Sequence, residues 1–262
     1  MDWSTGVLGF TCGLVISVAT APVGVSGAVF LLPVQVSVLG VPSPAVTPTN
    51  LLYNVVAGPG ALLRYWRAGR LAGPLPRLLI AGTLPGVVLG ALIRVFAVPG
   101  PHVFRLLVAA LLLPLGVWLG LRTLRPASAA HDPRPLSPRA TRKLALAVGV
   151  AGGIYGIGGG SLLGPILVGR GIPVAAVAPA ALAATFVTSV AGAATYALLS
   201  LTVTGNVAPD WLLGLFCGAG GLLGGYLGAH LQPRLPETGL RLLLAALATG
   251  VGVLYAVQVL SG

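Results

Sequence analysis

The stretch "YGIGGGSLLGP", residues 155–165, sets Gly156, Gly158, Gly159 and Gly160 within five positions and reaches Pro165 soon after. Glycine costs a helix interior about 1 kcal/mol relative to alanine and proline roughly 3, so this run breaks any helix it interrupts. What it offers instead is bare backbone. Without Cβ atoms, a ligand approaches the main chain closely, and a helix starting after the break adds free N–H groups and a partial positive charge that favour an anion. A second stretch, "APVGVSG" at 21–27, carries Gly24, Ser26 and Gly27 and is followed by Pro33. The chemistry in view is oxyanion recognition by neutral donors.

Polar residues follow each break. Thr47, Thr49, Asn50, Tyr53 and Asn54 come after the first; Thr185, Thr188 and Ser189 come after the second. Serine and threonine hydroxyls commonly bond their own helix backbone. An amide in an apolar run is costly without a partner, so Asn50 leads the side-chain candidates, with Ser161 and Thr185. The expected binding set is therefore Gly24, Ser26, Gly27, Asn50, Gly156, Gly158, Gly159, Gly160, Ser161 and Thr185. No arginine sits in the middle of an apolar run, and Asp2, Asp132, Asp210 and Glu237 all fall in termini or between runs. A proton relay inside a membrane would need Asp, Glu or His there, and only His230, near the end of a run, qualifies. An anion moving outward from a negative interior would need none, since each negative charge then gains about 2.3 kcal/mol per 100 mV. No metal or cofactor is expected.

The elements that must carry these residues are membrane-spanning. The chain is 56% hydrophobic and 7% charged, with mean hydropathy +0.99, whereas soluble domains carry about 25% charge. "MDWSTG" has no Lys or Arg ahead of the first apolar run, so no cleaved signal peptide is expected. The net charge of +11 reads as arginines flanking spans on the cytoplasmic side, not as a nucleic-acid surface. Cys12 and Cys217 lie in apolar runs and read as buried small hydrophobes.

Apolar runs near twenty residues fall at 6–40, 44–65, 77–96, 103–122, 142–169, 174–200, 209–230 and 239–260. The first and fifth contain the two breaks; thirty-five helical residues would reach about 52 Å, against a hydrocarbon core of about 30 Å. At an offset of 132, Gly24 falls on Gly156, Gly27 on Gly159 and Pro33 on Pro165. "GVPSPAV" (40–46) matches "GIPVAAV" (171–177), and "AGTLPGVVLGALI" (81–93) shares seven of thirteen positions with "AGGLLGGYLGAHL" (219–231). The last pair keeps glycines four apart, a packing stripe. The chain thus divides into a repeat at 1–122, a solvated Pro/Ser/Arg-rich linker at 123–141 and a second repeat at 142–262. If every segment crossed simply, ten cations would lie inside and five outside; with 6–40 and 142–169 as re-entrant hairpins, thirteen lie inside and only Arg94 and Arg105 outside. The positive-inside rule selects an all-α polytopic membrane protein of two inverted repeats, each a broken hairpin plus three transmembrane helices. Broken segments at related positions point to a transporter's binding site.

"GIYGIGGGSLLGPILVGRGIPVAAVAPAALAATFVTS" (153–189) resembles the glycine-rich signature of the TauE/SafE family of sulfite and organosulfonate exporters. "APVGVSGAVFLLPVQVSVLGVPSPAVTPTNLL" (21–52) is its weaker echo, with Ser26 and Ala28 where the second half has glycines. The resemblance covers nearly the whole chain. It implies a secondary transporter moving small sulfur anions, such as sulfite or sulfoacetate, across the bacterial inner membrane, with the lipid bilayer as surroundings; a homo-oligomer is compatible with it. Two other readings stand beside it. One is an anion channel. The other is an intramembrane serine protease, because "GVSG" (24–27) resembles the rhomboid nucleophile motif and His230 could complete a dyad; against it, the repeat pairs Ser26 with Gly158.

Overall fold

The computed structural model describes residues 3–42, 45–97, 101–124, 137–201 and 208–260. Asp2, Asp132, most of the expected linker and the loop at 202–207 lie outside them. Among the described residues there are ten α-helices and no strand. Helix α1 (Trp3–Thr20) passes through a 3-10 turn (Ala21–Val23) and the first break to α2 (Ala28–Ser37); α3 (Val46–Arg67), α4 (Pro74–Phe96) and α5 (Pro101–Leu124) follow. Helix α6 (Pro138–Tyr155) leads through the second break to α7 (Leu163–Gly169), then α8 (Val174–Ser200), α9 (Trp211–Leu231), a second 3-10 turn (Gln232–Arg234) and α10 (Glu237–Leu260). The all-α membrane class expected from composition is the one observed.

Five segments among the described residues are long and apolar enough to cross a membrane: Trp3–Val23, Pro74–Phe96, Val174–Ser200, Trp211–Arg234 and Glu237–Leu260. Helix α3 misses that standard because Thr47, Thr49, Asn50 and Asn54 interrupt it, yet all four are buried in the protein. Leu63, Trp66, Leu89, Leu92, Leu215 and Leu223 are exposed instead. Apolar outside and polar inside is the arrangement a lipid solvent dictates.

The breaks are off-centre in their segments. Helix α1 has 18 residues and α2 has 10; α6 has 18 and α7 only 7. At 1.5 Å per residue the longer arms reach about 27 Å, nearly a bilayer core, and the shorter ones about 10 to 15 Å. Gly24 and Gly156 end the long arms with φ of 75° and 72°, a left-handed cap that L side chains adopt only at a cost of roughly 1–2 kcal/mol.

Glycine registers set the packing. Side chains added at Gly220, Gly224 and Gly228 would run into the carbonyl oxygens of Phe10, Leu14 and Val18, so α9 lies parallel against α1 at backbone contact. Gly82, Gly86 and Gly90 meet the carbonyls of Arg142, Leu146 and Val150 in the same manner, which sets α4 parallel to α6. The glycine spacing read as a packing stripe is one. With lipid tails as apolar as leucine, helix association in a membrane rests on such close backbone approach. Helix α3 also runs parallel to α9, with Gly214 on Leu52, Gly218 on Val56 and Gly225 near Ala61. Two pairs are antiparallel: α3 with α8, through Gly58 on Phe186 and Gly192 on Leu51, and α5 with α10, through Gly116 on Thr249 and Gly252 on Leu113.

Candidate functional site

The first break builds a polar pocket. Gly24 turns the chain, its N–H donating to the Ala21 carbonyl, and the Val25 N–H donates to Thr20, each at 3.2 Å. Ser26 lies just ahead of the N-cap Gly27 of α2: its Oγ accepts from the Ala28 N–H at 3.1 Å and donates to Asn54 Oδ1 on α3. Gly27 leaves room for the Tyr53 hydroxyl, which is 2.6 Å from Ser17 Oγ on α1. These groups line a partly open cavity of about 30 Å³ between α1, the break, α3, α8 and α9, room for about two waters. Ser17, Thr20, Ser26, Tyr53, Asn54 and Thr185 supply its polar lining; Leu182 and Phe186 of α8 close one side. Among the described residues no charged side chain lines it.

Two lining donors have nothing to bond. Asn54 Nδ2 and Thr20 Oγ1 are buried with no hydrogen-bond partner, although Asn54 is only 3% and Thr20 only 1% exposed. An orphaned buried polar group costs roughly 1–3 kcal/mol, and such exceptions call for an occupant or a role. Asn54 and Thr185 sit near the middle of α3 and α8, while Thr20 and Ala21 lie at the end of α1, so the pocket runs from mid-span toward that end.

The second break is filled. Gly156 abuts the Thr47 carbonyl, and Gly160 abuts that of Ala181. A side chain at Gly158 would meet Thr185 Cγ2 at 2.5 Å, and one at Gly159 would meet Thr83 Cβ at 2.6 Å. The Gly159 N–H donates to Thr188 Oγ1 at 2.9 Å, and Ser161 Oγ donates to the Ile157 carbonyl at 2.7 Å. The two breaks do meet: the site a Gly164 Cβ would take is 3.3 Å from the Gly24 carbonyl oxygen. The small space of about 10 Å³ between them is lined mostly by apolar residues, among them Val25, Val29, Phe30, Leu162 and Pro165.

Of the expected binding residues, the structure brings Ser26, Gly27 and Thr185 to the polar cavity. Gly24, Gly156 and Gly160 meet facing backbone and Gly158 and Gly159 meet threonine side chains, and Ser161 reaches the rim of the polar set at 3.4 Å from Thr185 Oγ1. Asn50 points elsewhere, its Nδ2 donating to the Ala28 carbonyl at 2.9 Å while Oδ1 stays buried without a partner. Sequence reasoning passed over Ser17 and Thr20 and ranked Asn54 below Asn50; the signal available was that Ser17, Thr20 and Ser26 cluster around a helix end. Several hydroxyls bond their own helices as expected, Thr49 to Ala45 at 2.7 Å and Thr188 to Ala184 at 2.6 Å. The Ser–His dyad does not form: Ser26 bonds Asn54 and Ala28, while His230 Nδ1 accepts from Arg64 Nε at 3.2 Å. Among the described residues no three His, Cys, Asp or Glu side chains group as metal ligands.

No curated protein and no solved structure matches the chain. A family model does, and it runs over residues 9–255. With neutral donors buried at mid-span between helices of membrane length, and that match covering nearly the whole sequence, the chain belongs to the sulfite exporter TauE/SafE family and is a multi-pass membrane transporter.

Proposed function

We propose that the protein carries a small sulfur oxyanion, sulfite or a compact organosulfonate such as sulfoacetate, outward across the bacterial inner membrane, and that the anion binds in the cavity beside the first break. The observation that carries this reading is the pair of orphaned donors, Asn54 Nδ2 and Thr20 Oγ1, in a lining without charge. Sulfur oxyanions accept several hydrogen bonds at once, so unpartnered neutral donors among the lining residues would replace lost water. A fixed cation would hold the anion too firmly for release. A cavity sized for about two waters is a contracted state, and loading widens it by moving Leu182 and Phe186 on α8 away from the break.

The transport architecture we infer is a pair of inverted repeats. Gly220, Gly224 and Gly228 on Phe10, Leu14 and Val18 correspond position by position to Gly82, Gly86 and Gly90 on Arg142, Leu146 and Val150. The halves would thus exchange their long hairpin arms. Parallel pairing of α1 with α9 and of α4 with α6, beside antiparallel α3–α8 and α5–α10, is what a two-fold axis in the membrane plane produces. Asn54 and Thr185 are counterparts under that axis, each one the middle of its span, so rocking of one half against the other would open their shared pocket to alternate sides. The test is efflux from proteoliposomes loaded with sulfite, sulfoacetate, taurine, thiosulfate or sulfate. Saturable, Asn54-dependent efflux of a sulfur oxyanion is the expected result. Efflux that never saturates would identify a channel, and no movement of any of these anions would remove the reading.

A further inference from the structure

We infer that Arg64 and Arg70 form a second oxyanion site, a capture vestibule at the end of α3 that delivers the anion to the cavity; this rests on the export reading above. Arg64, half-buried, donates from Nε to His230 Nδ1 at 3.2 Å. Arg70, just past the end of α3, donates from Nη1 to Gln232 Oε1 at 3.1 Å. Both acceptors are neutral. Guanidinium groups form their strongest bonds, often bidentate, with oxyanions, and among the described residues neither arginine has one. The two described carboxylates are engaged elsewhere: Asp210 Oδ1 caps α9 at Leu213, 3.0 Å away, and Glu237 Oε1 holds Arg241 and the Val174 N–H, each at 3.0 Å.

The pair is wired to the pocket. Gln232, 1% exposed, donates its other end, Nε2, to the Pro22 carbonyl at 2.6 Å, and the Tyr65 hydroxyl donates to the Ala21 carbonyl at 3.1 Å. Ala21 and Thr20 line the cavity, whose wall along α3 runs to Ala61, one helical turn short of Arg64. An oxyanion arriving between Arg64 and Arg70 meets uncompensated positive charge one turn from a pocket that has none. It replaces the His230 and Gln232 acceptors, and Gln232 is the residue that ties the first 3-10 turn in place. Attraction at the mouth with neutral donors inside gives capture without a trap.

The experiment measures sulfite efflux from proteoliposomes over a range of internal sulfite and salt. Arg64→Gln with Arg70→Gln should raise the apparent KM about tenfold, at the low end of electrostatic focusing, leave the maximal rate within about twofold, and abolish the rise of KM with ionic strength expected of the wild type. Arg64→Lys keeps the charge without the planar fork and should stay within about threefold of wild type. The exposed Arg77→Gln should change nothing. A double variant with wild-type KM and salt dependence overturns the vestibule while leaving Asn54-dependent export standing; so does Arg64→Lys failing as badly as Arg64→Gln, which marks a structural bond. If the wild type moves no sulfite, the export reading fails, and calorimetric titration of purified protein with sulfite decides the vestibule alone: binding lost in the double variant supports it, and equal or absent binding overturns it.

Discussion

Replacing Asn54 with leucine separates a binding role from a structural one. In the structure Asn54, a lining residue of the cavity, makes one side-chain bond, accepting from Ser26 Oγ, and its buried Nδ2 is left unpaired. Leucine removes the bond, worth about 1 kcal/mol net, and also removes a buried orphan donor that costs roughly 1–3 kcal/mol. Ser26 keeps its second partner, the Ala28 N–H. The net runs from about zero to a gain of about 2 kcal/mol, so the unfolding midpoint should hold or rise by several degrees. Affinity should behave differently. A hydrogen bond to a charged group is worth about 1.5–3 kcal/mol, so losing it weakens anion binding roughly 10- to 150-fold. The assay pairs thermal unfolding in detergent with the sulfite concentration for half-maximal efflux. Wild-type affinity in a well-folded Asn54→Leu protein would refute the assignment, as would a collapse in stability, which would make Asn54 a structural anchor.

Other expectations follow from the same contacts. Gly86→Ala and Gly224→Ala each drive a methyl into a facing carbonyl, that of Leu146 or Leu14; both should elute aggregated or unfold well below wild type, while any folded fraction binds sulfite normally. Gly159→Val must displace Thr83 and so should also act through folding, and a stable variant with selectively lost affinity would return the second break to the binding site. Ser26→Ala removes the bonds to the Ala28 N–H and to Asn54, each worth about 1 kcal/mol net, and should leave efflux measurable; cleavage of a transmembrane peptide by wild type and not by this variant would instead establish a protease. For topology, Ala130→Cys in a protein lacking Cys12 and Cys217 should be shielded from impermeant thiol reagents in intact cells, and ready labelling would reverse the inside placement of residues 123–141.

Much of the architecture follows from local physics acting on single residues. Gly24 and Gly156 end helices wherever they stand, because only glycine takes their left-handed turn freely. The fourfold glycine spacings at 82–90 and 220–228 had to become close helix contacts, since a bare stripe in lipid has no other use. Charge at the ends of spans is equally local, as lipid admits arginine nowhere else. Which helices those stripes face was not written locally: α1 chooses α9 and α6 chooses α4, each a pairing across the two halves. The binding pocket was still less legible. Asn50 and Asn54 are one turn apart on the same helix, and a small rotation of α3 decides which amide meets Ser26 and which meets the Ala28 carbonyl. Ser17 and Thr20 look like ordinary span hydroxyls until α1 stops beside Tyr53. The second break holds the denser glycines, yet Thr83, Thr185 and Thr188 fill it, while the sparser first break keeps its space. Arg64 and His230 stand 166 positions apart, and only the parallel packing of α3 on α9 makes them neighbours. Helix breaks and stripes are properties of the chain; a cavity is what several chain segments leave unfilled between them, and that is decided by tertiary packing alone.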